Sequence, residues 1–391
     1  MRIVYIINSL NGGGAERPLP DIVAQMRRRG HDVRVLALAR KAGNAVAWLK
    51  DAGIAHEILS PHPDKFASFR TTLAAVRRHA PDLIWTSLTR ATLYGQMAGV
   101  MLRRPVISWQ HNAYLRPWNR RILHATHRLT DLWVADSRFV AKCTAQQLNV
   151  PERDVITWPL FTAQAHMPQA TPWTGPDGGA VFRLGTLGRL EHQKNYGLLV
   201  QAMAYLRDHA PQCRIHLDIG GEGSLAPQLQ ARIAALGLDN VTLSGFQADP
   251  FTYCAGLHGY VQPSLFEGLC IALHEAMQAG VPSIVTPVGA MADVIKDGET
   301  GLFLSPPTPE RLASLLLRLY NNPSLCARMG AAARKQVLSA YDLNAITAQA
   351  DMVLGRAEQL VALRVGAMRT SARHGHDGQR SCCARARPSS P

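Results

Sequence analysis

Short runs of β-branched and other apolar residues alternate along the chain with longer stretches whose apolar positions recur every three or four residues. In the first half the runs predict strands at 2–7, 33–38, 82–86, 106–109 and 132–135. Amphipathic stretches between them predict helices, as at 21–29, 66–79 and 89–102. The second half repeats the scheme. Strands are predicted at 182–187, 214–219, 241–243, 259–262, 283–286 and 301–304, and helices at 196–208, 227–236, 269–278, 309–320 and 323–339. Strand–helix alternation with short connections predicts an α/β protein with two Rossmann-like, doubly wound parallel sheets.

The stretch 167–180 has three Pro, three Gly and no periodicity, which reads as an interdomain linker. The domains expected are residues 1–167, a linker at 168–180, a second domain at 181–340 and a helix at 341–365. Residues 366–391 have too few apolar side chains to bury and are expected to be a disordered basic tail. Two sheets of this kind bind ligands beyond the carboxyl ends of their strands, so the expected site is the cleft between the domains.

Charge adds an asymmetry. The 391-residue chain has a formal net charge of +14, and residues 1–170 hold 23 Lys+Arg against 11 Asp+Glu. Residues 171–365 hold 14 against 16. An anionic partner of the first half, such as nucleic acid, a membrane face or a phosphorylated substrate, is one explanation, and a solvated basic surface is the other. The basic half has no nucleic-acid reader motif and no aromatic stacking pattern, which disfavours nucleic acid. Seven scattered Cys with no C-x2-C pair indicate neither a disulfide framework nor a zinc site, and suit the cytoplasm. No stretch approaches a membrane span, so the chain is expected to be soluble or at most peripheral.

Candidate chemistry sits at strand ends. The first strand runs into Gly12-Gly13-Gly14-Ala15-Glu16-Arg17, where glycines admit a ligand to the backbone and the following helix offers its N-terminus to phosphate. Pro18 and Pro20 fit only the first turn of that helix. His111 follows a strand and can hydrogen-bond a hydroxyl or stabilise a leaving phosphate. Gly188-Arg189 and Lys194 place two cations in a loop, as a diphosphate leaving group needs in the absence of a metal. In Glu267-Gly268-Leu269-Cys270 and on to Glu275, two carboxylates eight residues apart flank a predicted helix N-terminus, about 12 Å apart along the axis. Carboxylates suit vicinal hydroxyls, and the helix N-terminus between them suits phosphates.

In this order these segments resemble the retaining glycosyltransferases of family 4, which have the GT-B fold. The resemblance spans roughly residues 1–360 and is carried by Arg189 and Lys194, Gly220-Gly221-Glu222-Gly223, Leu243-Ser244-Gly245-Phe246, Glu267-x7-Glu275 and Gly280-Val281-Pro282. The Gly12-to-Arg17 opening is typical of bacterial members that build surface polysaccharides.

The resemblance implies that Arg189 and Lys194 bind the donor diphosphate, Glu275 the ribose hydroxyls and Glu267 the donor sugar. It also implies that His111 contacts the sugar near the reaction centre and that Gly12, Gly13 and Gly14 border the sugar-phosphate. Gly221, Phe246, Gly268, Leu269 and Cys270 complete the implied donor site, and the last helix crosses back to the first domain. The donor implied is a nucleotide diphosphate sugar, UDP-linked, used with no metal and no cofactor. The acceptor implied is a glycan or lipid-linked one at the inner face of the cytoplasmic membrane. Basic clusters at Arg27-Arg28-Arg29, Arg77-Arg78, Arg103-Arg104 and Arg116/Arg120/Arg121 are candidates for holding an anionic surface. Ala290 and Asp293, in a segment where the family often has Gly-Gly-x-x-Glu, and His274 depart from the pattern. A sugar-nucleotide epimerase on the same fold and a non-catalytic sugar-nucleotide binder remain the alternatives.

Overall fold

Every strand pairs in parallel with its neighbours, in two separate sheets. The computed structural model describes residues 1–41, 43–59 and 65–382. The first sheet contains β1 (Arg2–Ile7), β2 (Asp32–Ala37), β3 (His56–Ile58), β4 (Leu83–Ser87), β5 (Val106–Gln110), β6 (Leu132–Ala135) and β7 (Val155–Thr157). Their order is β3-β2-β1-β4-β5-β6-β7. The second contains β8 (Phe182–Leu187), β9 (Ile215–Gly220), β10 (Val241–Gly245), β11 (Gly259–Gln262), β12 (Ser283–Val285) and β13 (Leu302–Phe303), in the order β10-β9-β8-β11-β12-β13. The order reverses between β1 and β4 in one sheet and between β8 and β11 in the other. These are the two switch points where crevices open.

Central strands read as continuous apolar runs because helices cover both faces of each sheet. β1, β4 and β5 are buried almost throughout. β3 and β7 are three-residue edge strands, too short for the sequence pattern to mark. The helix Leu19–Arg28 starts as its prolines require, with Pro18 at the N-cap and Pro20 in the first turn.

The segment read as an interdomain linker is anchored at Trp173. Trp173 is buried against Phe182 and Tyr320, and its indole N–H donates to the Tyr320 carbonyl at 2.8 Å. The core also ignores the boundary between the halves. Leu10, Trp158, Phe161, Leu273 and Val353 belong to one continuous buried cluster.

The final helix, Leu343–Cys382, lies against the first domain. Its Glu358 accepts from Arg29 at 2.7 and 3.0 Å, its Asp351 pairs with Arg28 and Arg29, and Arg364 reaches Asp131 at 3.0 Å. Residues 366–382, where the sequence predicts disorder, continue this helix. Extending an existing helix adds one hydrogen bond per residue without a new nucleus. The rest of that tail, 383–391, lies outside the described residues.

His274 occupies the junction of the halves. It is fully buried, with its ring 5.4 Å from Phe161 and 4.7 Å from Tyr341, and its Nδ1 donates to the Cys270 carbonyl at 3.0 Å. Its Nε2 has no hydrogen-bond partner among the described residues, and burial lowers its pKa from 6.5 to about 4. The neutral ring is therefore the form that folds. This contribution is present above the unfolded-state pKa of 6.5 and is lost as pH falls through about 4. The shift corresponds to about 3 kcal/mol across that window. Urea unfolding of His274→Met should show a flatter loss of stability with acid than the wild type; an identical slope contradicts this assignment.

Candidate active site

Both switch points face one cleft, and the candidate residues emerge there because each follows a central strand. On the second-domain side, β8 is followed by Gly188 and leads to Lys194, while β11 ends at Gln262 and leads to Glu267. These two loops bring opposite charges into contact. The Lys194 ammonium lies 2.6 Å from Glu267 Oε1. The same oxygen accepts from Ser264 Oγ at 2.6 Å, Ser264 accepts from Gln262 Nε2 at 2.8 Å, and Gln262 Oε1 accepts from the Tyr260 hydroxyl at 2.6 Å. Burial by itself drives Lys194 toward the neutral amine, but the Glu267 carboxylate more than reverses this and holds it protonated. The loops also lock each other through backbone, with Leu265 N–H donating to the Gln193 carbonyl at 2.9 Å.

Gly221 explains its own identity. At φ +138°, a Cβ there would stand 1.9 Å from the Gly188 carbonyl oxygen, so only glycine lets the loops after β8 and β9 touch. Arg189 points outward, exposed and without an ion pair among the described residues. Phe246 is partly exposed at the end of the edge strand β10.

The Glu267–Glu275 separation differs from the sequence expectation. The helix runs from Ile271 to Gln278, and Cys270 before it has a left-handed backbone at φ +62°. Glu267 and Gly268 therefore sit in a loop rather than near the first turn, and the axial estimate does not apply to them. Leu269 and Cys270 are buried, and burial pushes the Cys270 thiol up to about 12, so it stays neutral.

On the first-domain side, Gly12, Gly13 and Gly14 turn at the end of β1. The Gly13 N–H donates to Glu16 Oε2 at 3.0 Å, and Ser9 Oγ donates to Glu16 Oε1 at 3.1 Å. The loop thus carries its own carboxylate on a donor that the sequence suggests for phosphate.

His111 is held at both nitrogens. Nδ1 lies 2.9 Å from Asp136 Oδ1, and Nε2 lies 2.9 Å from Ser87 Oγ, which in turn lies 2.5 Å from the Tyr5 hydroxyl. A carboxylate can only accept from the ring, so Nδ1 carries a proton. Burial raises the pKa of the Asp136 carboxyl and His111 opposes it. Below lies a buried aromatic platform. Trp109 stands 5.6 Å from His111, 4.9 Å from Trp158 and 5.8 Å from Trp85. Each such side chain contributes up to about 4–6 kcal/mol of apolar burial.

Three contacts bridge the cleft. Arg17 reaches across to Glu275 at 3.0 Å, with its guanidinium 5.6 Å from the centre of the Phe251 ring. Burial raises the Glu275 pKa, and Arg17 opposes that rise. Tyr114 packs on Phe266 with ring centres 4.7 Å apart. A Cβ on Gly268 would lie 2.2 Å from the His111 carbonyl oxygen, so the two backbones meet where the candidate residues converge.

The structure therefore gathers His111, Lys194, Glu267, Gly268 and Glu275 around the cleft and leaves Arg189 exposed, with no ion pair of its own. Sequence reasoning missed Asp136, Ser87, Tyr5 and Ser264 as members of these networks, and Arg17 as the partner of Glu275. Asp136-Ser137 after β6 was available as a signal, a buried acid at a strand end followed by a Ser that caps the next helix by accepting from the Val140 N–H.

Two parallel-sheet domains with this cleft define a class, the GT-B glycosyltransferases. Residues 12–162 match the model of Glycosyltransferase Family 4, and residues 181–336 match that of Glycosyl transferases group 1. The chain belongs to the family 4 glycosyltransferases. Mannosylfructose-phosphate synthase of Agrobacterium fabrum is 31% identical over 173 residues, covering 42% of this chain and 38% of the relative. Glycogen synthase of Mycobacterium tuberculosis is 24% identical over 355 residues, 87% of this chain and 78% of the relative. Over the first curated relatives it matches, the chain spans about two fifths of their length, 38–42%. Among solved structures, Anabaena HepE in complex with UDP-glucose superposes with a TM-score of 0.80 at 21% identity, covering 91% of this chain and 100% of that one. That likeness concerns the fold.

The Gly268 contact gives a direct test. Gly268→Ala must separate two backbones and should cost about 1–3 kcal/mol of unfolding free energy. Gly355→Ala, with nothing within 4 Å of the added Cβ, should be neutral or stabilising by about 0.5–1 kcal/mol in its helix. Urea unfolding of both reads the difference, and equal effects contradict the close approach.

Proposed function

We propose that the protein transfers a hexosyl group from a UDP-sugar to a hydroxyl of a growing surface glycan, with the anomeric configuration retained and without a metal. The acceptor is lipid-linked, at the cytoplasmic face of the membrane. The observation that carries this reading is the 2.6 Å pair of Lys194 and Glu267 at the switch point of the second sheet, facing His111 across the cleft. The UDP-glucose complex of HepE supports the donor class.

On this reading the donor diphosphate takes over Lys194, and Arg189 closes on it from the mouth. The freed Glu267 accepts hydrogen bonds from donor sugar hydroxyls. Glu275 exchanges Arg17 for the ribose hydroxyls. The bond from the anomeric carbon to the diphosphate oxygen breaks, and the acceptor oxygen bonds to that carbon from the same face. The acceptor proton passes to the departing phosphate oxygen. Positioning, and cationic charge beside the developing diphosphate, account for the rate. His111, oriented by Asp136, meets the sugar at the reacting end.

Transfer of labelled hexose from a panel of UDP-sugars to membrane extract tests this, with the product anomer read by proton NMR. Lys194→Ala and Glu267→Ala should each lose about 100-fold or more in kcat/KM. Donor incubated alone should return unchanged. No transfer from any donor, an inverted product, or epimerised free donor would sink the reading.

A further inference from the structure

The basic clusters of the first domain differ in how far their charge is engaged within the protein. Two of the clusters that the sequence offers for an anionic partner are largely spent inside the protein. Arg28 and Arg29 pair with Asp351 and Glu358, Arg27 donates to the carbonyls of Ala52 and Gly53 at 3.2 and 2.9 Å, and Arg78 holds Glu57 at 2.6 Å. Arg77 is left exposed, and the other two clusters lie between Asp82 and Asp131, a run of 48 residues with seven Arg and no acid. None of these seven Arg forms an ion pair among the described residues.

The same run holds six of the large apolar side chains exposed on the protein. Trp118 is 68% exposed, Val100 59%, Met101 54%, Tyr114 48%, Met97 47% and Leu129 39%. They belong to two neighbouring helices, Thr89–Leu102 and Pro117–Thr126, and the segments that flank the second. Gln96 of the first helix ties the two together by donating to the Thr126 carbonyl at 3.1 Å and to Thr130 Oγ1 at 2.9 Å. Arg103 at the end of the first helix and Arg116, Arg120, Arg121 and Arg128 in and beside the second are all exposed.

We infer that this two-helix face docks on an anionic lipid bilayer. Apolar side chains that enter the interface, mixed with unpaired cations that stay at headgroup level, are the composition such a contact requires. No helix of the described residues is long and apolar enough to cross a membrane, so the contact would be peripheral. The face reaches the cleft through Tyr114, which packs on Phe266, so a docked protein would present the cleft mouth beside the bilayer. This deepens the reading of a lipid-linked acceptor but does not depend on transfer being the reaction.

Sedimentation of the full chain with vesicles tests it, with no donor or acceptor present, so its failure would leave the transfer reading standing. Vesicles of phosphatidylcholine with phosphatidylglycerol should bind the protein and release it at high salt, and vesicles of phosphatidylcholine alone should bind it poorly. Trp118→Ser and the double variant Arg120→Glu/Arg121→Glu should each weaken partitioning about tenfold with no change in unfolding midpoint. Arg311→Glu, on the second domain, should bind like the wild type. Equal binding by all variants overturns the inference. So does a concentration-dependent dimer in lipid-free buffer that the two-helix variants abolish, because the face would then belong to a second copy of the chain.

Discussion

Two of the carboxylates buried in the cleft, Glu267 and Glu275, are each held by a cation. Glu267 has Lys194 within its own domain, and Glu275 has Arg17 from the other. A buried carboxylate without a partner is costly, so the second pair couples cleft geometry to charge balance. Besides the Arg17 pair, the halves meet where Gly268 approaches the His111 backbone and where Tyr114 packs on Phe266. A ligand that offers hydroxyls to Glu275 and negative charge to Lys194 would replace both internal partners at once.

The first-domain side is organised differently. Its central residue is an imidazole fixed by Asp136 on one nitrogen and Ser87 on the other, above three buried tryptophans. The tautomer follows from chemistry that a carboxylate imposes. A rigid, hydrogen-bonded wall thus faces a wall whose charged groups are poised to exchange partners. That division suits a cleft in which one side positions and the other receives a diphosphate.

Much of this was legible in the sequence. β1, β6, β8 and β11 stood out at their observed limits because strands covered on both faces read as short, mostly apolar runs. The motifs after β5, β8 and β11 named His111, Lys194, Glu267 and Glu275. What stayed hidden depends on long-range contact. Arg17 and Glu275 are 258 positions apart, and nothing local ties them. Asp136 and Ser87 look like ordinary strand-end residues until β4, β5 and β6 are side by side. The helix that carries Glu275 starts later than its apolar pattern suggests, because Cys270 takes a left-handed backbone that periodicity does not encode. The charge clusters misled for the same reason, since Arg28 and Arg29 are neutralised by acids more than 300 residues downstream.

The central proposal is that Glu275, held by Arg17 across the cleft, becomes a ligand of the donor nucleotide. Calorimetric titration of UDP into the wild type and into Glu275→Gln tests it most directly. The account predicts saturable binding by the wild type and a loss of about tenfold or more in the variant, the value of a charge-assisted hydrogen bond. Equal affinity for UDP in the two proteins would contradict it.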